Sequence, residues 1–439
     1  MTQHGNSGAH RTPPWSDDAA TGSSEAARPQ TAMGDVVTKQ KLPKVESKRS
    51  ILLGALFLMA TSAIGPGFIT QTATFTVQMG AAFAFAIFLS IIVDIAVQLN
   101  VWRVIGVSGL RAGELGNKIL PGIGVILGIF VVFGGFVFNV GNVAGGGLGI
   151  SAMTGLDPTW GGIITSVLAI LVFLSKKAGV ALDKIVVVLG VLMILITGYV
   201  AVISGPPVGD AFRQTVLPDN VDMVVVTTLI GGTVGGYITY AGAHRMIDAG
   251  VSGIEDVKAI SGASITSIVV TGVMRYLLFL AILGVVAGGV ALTSSNLAAE
   301  AFQHAAGDIG LRLFGVILWA ASISSVIGAA YTSVSFMTTR HTKTWIRNLL
   351  TIVMIVLSSL VFMSLGKPPA TLLVIAGTIN GLILPLGFTV ILIVAIFRRD
   401  LLQGYKYPKW LIVAGVFVWL LTLYFGVNAV QGLAKLWNG

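Results

Sequence analysis

Ala63-Ile64-Gly65-Pro66-Gly67-Phe68-Ile69 and Gly231-Gly232-Thr233-Val234-Gly235-Gly236-Tyr237-Ile238 are the two stretches on which the sequence turns. Both lie inside long apolar blocks, and both carry residues that a helix resists. Pro66 has no N–H to donate, and its ring crowds the preceding turn. Each glycine weakens a helix by roughly 1 kcal/mol relative to alanine. The surrounding blocks exceed the roughly 20 apolar residues that a helix needs to cross a bilayer. Such blocks recur at about 51–78, 81–105, 119–153, 159–175, 180–204, 222–249, 261–290, 309–338, 344–365, 369–397 and 408–436. The sequence therefore reads as an all-α membrane protein of eleven spans, with the first and sixth interrupted.

Composition agrees. Of 439 residues only 10% are charged, against about 25% in soluble chains. Hydrophobic types make up 55% and the mean hydropathy is +0.90, more apolar surface than a soluble interior can hide. A cytosolic enzyme, a nucleic-acid binder and a disordered scaffold are excluded. With no cysteine, so are disulfides and thiolate metal sites.

The net charge of +9 belongs to the loops. Lys39, Lys41, Lys44, Lys48 and Arg49 precede the first span. Alternate loops then carry Arg103, Arg111 and Lys118; Lys176, Lys177 and Lys184; Arg245 and Lys258; Arg340, Lys343 and Arg347; and Arg398, Arg399, Lys406 and Lys409. The opposite loops hold Arg213, Arg312 and Lys367. Basic loops stay cytoplasmic, so the expected topology in the cell (inner) membrane is N-terminus inside and C-terminus outside. Residues 1–48, polar and without apolar periodicity, read as a disordered cytoplasmic tail. They lack the pattern of a cleaved signal. Residues 49–439 form the membrane domain.

The two breaks fall five spans apart. A single glycine pair reads as close helix packing. Matched breaks in two five-helix halves point to inverted repeats with a binding site at the breaks. Repeat one then covers about 51–204, repeat two about 222–397, and an extra helix about 408–436.

From about Ser50 to Gln431 the residues resemble the NRAMP metal-ion transporters, whose fold is of the leucine-transporter (LeuT) class. Gly54 precedes Gly65-Pro66-Gly67-Phe68 at the interval at which a Gly precedes that family's Asp-Pro-Gly-Asn. Gln78-Met79-Gly80-Ala81 matches its Gln-x-Gly-Ala, with about four extra residues before it. The stretch from Gly231 to Ile238 lies where the family reads roughly Gly-Ala-Thr-x-Met-Pro-His-Asn. Ser324-Ser325-Val326-Ile327-Gly328, Leu372-Leu373-Val374 and Leu384-Pro385 match further landmarks. The resemblance implies a secondary transporter working by alternating access. The departures fall on the family's chemistry. Its metal-binding Asp and Asn fall on Gly65 and Phe68, its Met on Gly235, and the following His on Tyr237. The Asp-x-x-Glu used for proton movement falls on Asn139 and Asn142.

A divalent ion needs anionic or strongly donating ligands, and Asn carries no proton near neutral pH. Metal transport and the usual proton coupling are therefore not expected, although a site of peptide carbonyls alone stays open. Helix ends at a break offer free N–H groups and a positive dipole end, which in this architecture face a substrate carboxylate. A solute site formed by Gly65, Pro66, Gly67, Phe68, Gly235, Gly236, Tyr237 and Tyr240 suits a small organic anion, amino acid or lactam. The competing readings are a divalent-metal transporter and a non-transporting membrane sensor. No P-loop or protease motif is present, so neither ATP-driven transport nor an intramembrane enzyme is expected.

Asp94 and Arg275 lie deep in the second and seventh spans. Charges there usually pair or line a water-filled path. They are expected to pair, or Arg275 to face the solute, the alternative being a static tie between helices. Asn139 and Asn142 share a helix face and either bind solute or water or hold helices together. Asn380 and Gln98 carry the same two readings. Ser324 and Ser325 are candidate hydroxyl ligands for sodium as coupling ion, opposite carbonyls near Gly65. No metal ligand and no other cofactor is expected. His244, His304 and His341 show no ligand spacing, Glu114 is expected to be solvated in a loop, and residues 245–258 to form a surface helix. The expected partners are a small-molecule solute and the bilayer, with no nucleic acid; the sequence leaves the oligomeric state open, a monomer among the options.

Overall fold

The computed structural model describes residues 63–338 and 342–438, all within the compact unit Glu46–Gly439. The tail at 1–48, Gly54, Arg340 and His341 lie outside the described residues. Every described element is helical.

α1 (Pro66–Met79) starts on a proline, with Gly65 extended before it. Proline suits a first turn because its missing N–H would have no partner there. α2 (Phe83–Ser108) ends at Gly109, whose φ of +66° is the left-handed conformation that glycine tolerates. The short α3 (Ala112–Ile119) is opened by a capping box in which Glu114 accepts from the Arg111 N–H at 2.7 Å. Glu114 is thus spent on a helix cap rather than left solvated. α4 (Ile123–Thr154), α5 (Pro158–Leu174), α6 (Lys176–Ile203) and the short α7 (Val208–Val216) follow. Then come α8 (Met223–Thr233), α9 (Ile238–Asp248), α10 (Val257–Ala287), α11 (Leu297–Met337), α12 (Thr344–Leu365), α13 (Pro369–Phe397) and α14 (Lys409–Asn438).

Among the described residues eight helices are long and apolar enough to cross a membrane, or nine if the bent pair Val188–Ile203 and Val208–Val216 is one span. Three features connect this figure to the eleven expected spans. α1 and α2 form one run, Pro66–Ser108. α5 has 17 residues, one turn short of a full crossing. The rest of the first span lies outside the described residues. Two loops read from the sequence prove partly helical: α7, and the start of α11, which bends at Gly307 (φ +64°) before the eighth span. The expected surface helix at 245–258 is not formed. α9 runs on to Asp248, and a single 3-10 turn, Ile254–Asp256, leads into α10.

The most extensive helix contact is between α4 and α11. There the backbones touch. A Cβ on Gly149 would stand 2.7 Å from the Trp319 nitrogen, and one on Gly315 would stand 2.9 Å from the Gly149 carbonyl oxygen. In a membrane, where lipid is as apolar as the helix, such small-residue contact replaces the hydrophobic drive. Gly149→Val should therefore lower the melting temperature of the purified protein, with a loss of about 1–3 kcal/mol from overpacking. An unchanged melting temperature would show that the seam has slack.

Candidate functional site

Both interrupted spans are open in the structure. α1 begins at Pro66 with no side chain capping its first turn, so the positive end of its dipole faces the break. The sixth span stops at Thr233 and resumes at Ile238, again without a side-chain cap. Between them Gly236 takes φ +53°, and a Cβ there would strike Asn380 Oδ1. Gly235 is tighter still. A Cβ would lie 2.6 Å from the Gly231 Cα and carbonyl oxygen and 2.7 Å from the Asn380 carbonyl oxygen.

Arg275 joins the two breaks. It rises from the middle of α10, is 2% exposed, and donates from Nη1 to Thr233 Oγ1 at 3.0 Å. Its guanidinium lies 4.2 Å from the ring centroid of Phe68, a cation–π contact strengthened by burial. Phe68 stands in the first turn of α1 and Thr233 is the last residue of α8. Asp94, 1% exposed on α2, adjoins Thr233 and feels the Arg275 charge. Asp94 and Arg275 thus approach the same Thr233 from α2 and α10, but no direct ion pair between them is formed among the described residues. Arg275 Nε and Nη2 and Asp94 Oδ1 are buried with no hydrogen-bond partner.

A second group of polar atoms lines α4 beside the sixth-span break. Asn139 and Asn142 are fully buried, and all four of their amide atoms lack partners. Tyr237 packs edge-on against Phe138 at 5.8 Å. Its hydroxyl, also without a hydrogen-bond partner, lies beside Asn142. Phe138 in turn is 3.4 Å from where a Cβ of Gly67 would stand, so the two breaks and α4 are contiguous. Nearly all buried polar groups in proteins are paired, and an exception calls for water, an ion or a ligand.

The remaining expected residues divide between the breaks and other places, with the unpartnered Oδ1 of Asn380 staying at the sixth-span break. Tyr240 turns away from the breaks, edge-on to Phe336 at 5.3 Å, with its hydroxyl against Gly387. Asn380 is mainly structural, donating to the carbonyls of Gly134 at 3.0 Å and Ala376 at 2.8 Å. Gln98 ties α2 to α10 through Ser267 Oγ at 2.7 Å and the Ser264 carbonyl. Ser325 is buried with an unpartnered hydroxyl, whereas Ser324 is half-buried. The α11 hydroxyl near Pro66 is that of Ser322, which flanks Gly145 together with Pro66. Gln71, Thr233, Phe138 and Ser322 were not singled out from the sequence. Gln71 was visible as a polar residue one turn beyond Pro66. It donates to the Leu373 carbonyl at 3.2 Å and leaves Oε1 unpartnered beside Gly232.

A helix that starts at Pro66 and a span that stops at Thr233 and resumes at Ile238, with unsatisfied polar groups beside them, belong to a transporter scaffold of the LeuT class. The chain belongs to the natural resistance-associated macrophage protein-like (NRAMP) family, whose model matches residues 56–431. It is 46% identical over 403 residues to the membrane protein YcsG of Bacillus subtilis (strain 168), spanning 91% of this chain and 99% of that one. It is 47% identical over 383 residues to a membrane protein of Haemophilus influenzae (strain ATCC 51907 / DSM 11121 / KW20 / Rd), spanning 86% and 95%. In fold it is similar to the Eremococcus coleocola manganese transporter, with a TM-score of 0.66 at 15% identity over 88% of this chain and 87% of that one. MhsT in complex with L-phenylalanine gives 0.65 at 18% identity over 86% and 98%.

Proposed function

We propose that the chain is a secondary transporter that moves a small organic solute by alternating access and has lost divalent-metal transport. The solute is a carboxylate, an amino acid or a lactam. One observation carries this reading: Arg275 offers two unpartnered N–H-bearing nitrogens where both broken spans meet. A guanidinium presents a planar fork that suits a carboxylate. The neutral amides of Asn139 and Asn142 and the Tyr237 hydroxyl extend the site with donors and acceptors for an amide, amine or ring carbonyl.

The same site suits a divalent ion poorly. Arg275 places positive charge over Phe68, at the family's Asn position, and Gly235 has no room for a side chain. Among the described residues no three His, Cys, Asp or Glu side chains gather. Sodium is the coupling ion of this reading, held by Ser322 and Ser325 with carbonyls near Gly65.

A thermal-stability screen of the purified protein tests the reading. Carboxylates, amino acids and lactams would be compared with manganese, each with and without sodium. A ligand at 100 times its Kd adds about 2.7 kcal/mol, a shift of a few degrees. The expected result is stabilisation by an organic acid or lactam, larger with sodium, followed by its uptake into vesicles. Manganese stabilisation with manganese uptake would reinstate the metal carrier, and binding without flux would make the protein a sensor.

A further inference from the structure

A cavity of about 700 Å³ opens between α4 and α12, and no residue of either break lines it. Two apolar helix faces form its long walls: Val125, Ile129 and Phe133 on α4, and Leu350, Val353 and Leu357 on α12. Each set repeats at three- or four-residue spacing, so each is a continuous stripe. The α4 stripe rises about 12 Å along the helix. It is also open to the side, with Val125 60% and Ile129 63% exposed. Within a span such a groove faces hydrocarbon and not water, and an acyl chain is what fills it.

One end of the groove is basic. α12 begins there with Lys343 at its N-cap, and no side chain caps its first turn. Arg347 precedes Leu350 and Met354 at spacings of three and four, which puts it on the helix face that lines the groove, and Lys343 stands just ahead of that helix at its N-cap. Arg347 reaches the Tyr331 hydroxyl at 2.6 Å, a neutral partner that leaves its charge uncompensated. Lys118 follows the lining residue Asn117. Of the nearby acids, Asp248 pairs with Arg111 at 2.7 Å, while Glu114, which caps α3 through a neutral N–H, keeps its charge against the three cations Lys118, Lys343 and Arg347. The charge left over at this end is positive, beside the positive end of the α12 dipole.

We propose that this groove holds one anionic phospholipid. Its acyl chain lies between α4 and α12, and its phosphate sits at Lys343, Arg347 and the α12 N-terminus. Basic pockets between spans on the cytoplasmic side recognise lipid headgroups in this way, and the distribution of Lys and Arg places this end there. The site does not depend on the identity of the transported solute.

The full-length protein in detergent provides the test, by native mass spectrometry and melting temperature. Dioleoylphosphatidylglycerol should bind at one copy and raise the melting temperature. Dioleoylphosphatidylcholine and inorganic phosphate should do neither. Each basic residue near a membrane surface contributes about 1 kcal/mol towards anionic lipid, so Lys343→Gln with Arg347→Gln should weaken the preference about thirtyfold. Gly128→Leu gives a second readout. A Cβ there clears its nearest neighbour, the Phe336 carbonyl oxygen, by 3.6 Å, and its side chain should fill the groove and expel the lipid from a folded protein. Equal binding of the two lipids would overturn the proposal, as would the same shift from inorganic phosphate or unchanged binding in the charge variant.

Discussion

Arg275→Met should abolish the melting-temperature shift given by the best organic acid or lactam in the screen, and should lower the stability of the unliganded protein as well. Stability falls because Asp94 would remain buried at 1% exposure without the cation that acts on it. Removing one partner of a buried pair costs about 3–5 kcal/mol. The ligand shift disappears for another reason, the loss of Nε and Nη2. A second variant separates the effects. Asp94→Asn combined with Arg275→Met removes both charges, and neutral replacement of a buried pair is often tolerated. The double variant should regain most of the stability and none of the ligand response. A ligand shift that survives in either variant would remove Arg275 from the site. Failure of the double variant to recover would show that the two charges are not energetically coupled.

Gly235→Met restores the thioether of the family's metal site and should nevertheless fail. Its Cβ would enter a space bounded by the Gly231 Cα at 2.6 Å and the Asn380 carbonyl oxygen at 2.7 Å, all of it backbone. Overpacking of this kind costs about 1–3 kcal/mol, and the upper end applies because no rotamer change can relieve it. Adding Gly65→Asp and Phe68→Asn supplies the remaining ligands but leaves the Arg275 guanidinium beside them. Two positive charges in a site shielded from water repel strongly. Manganese uptake by vesicles carrying the triple variant should stay at background. Robust uptake would mean that the backbone at the breaks yields and that the metal site was lost through side chains alone.

The breaks were legible because proline and clustered glycines announce themselves in an apolar run. The meeting of Arg275 with Phe68 and Thr233 was not, since it joins α10 to helices that are remote in sequence. Its burial in a span was the only local sign. Tyr240 lies away from the breaks although the sequence groups it with them. Tyr237 packs on Phe138 beside α4, whereas Tyr240 turns to Phe336 and Gly387, and nothing in the run Tyr237-Ile238-Thr239-Tyr240 separates the two. The serines of α11 also turn on register. Helical spacing alone puts Ser322 and Ser325 together and Ser324 on another side, but the motif match drew attention to the adjacent pair. Asn139 and Asn142 were read either as a binding site or as a tie between helices. Their four idle amide atoms weigh against the tie, because an amide that holds helices together has partners, as Gln98 does.

The α4–α11 seam has a mechanical consequence. Helices that meet this closely, with backbone against backbone at Gly149 and Trp319, resist sliding or rolling, because only a few side chains such as Met153 stand between them. The pair behaves as a keel. On the proposed alternating-access reading, what swings must swing around it, with the half-helices that end at Thr233 and begin at Pro66 and Ile238 as lever arms.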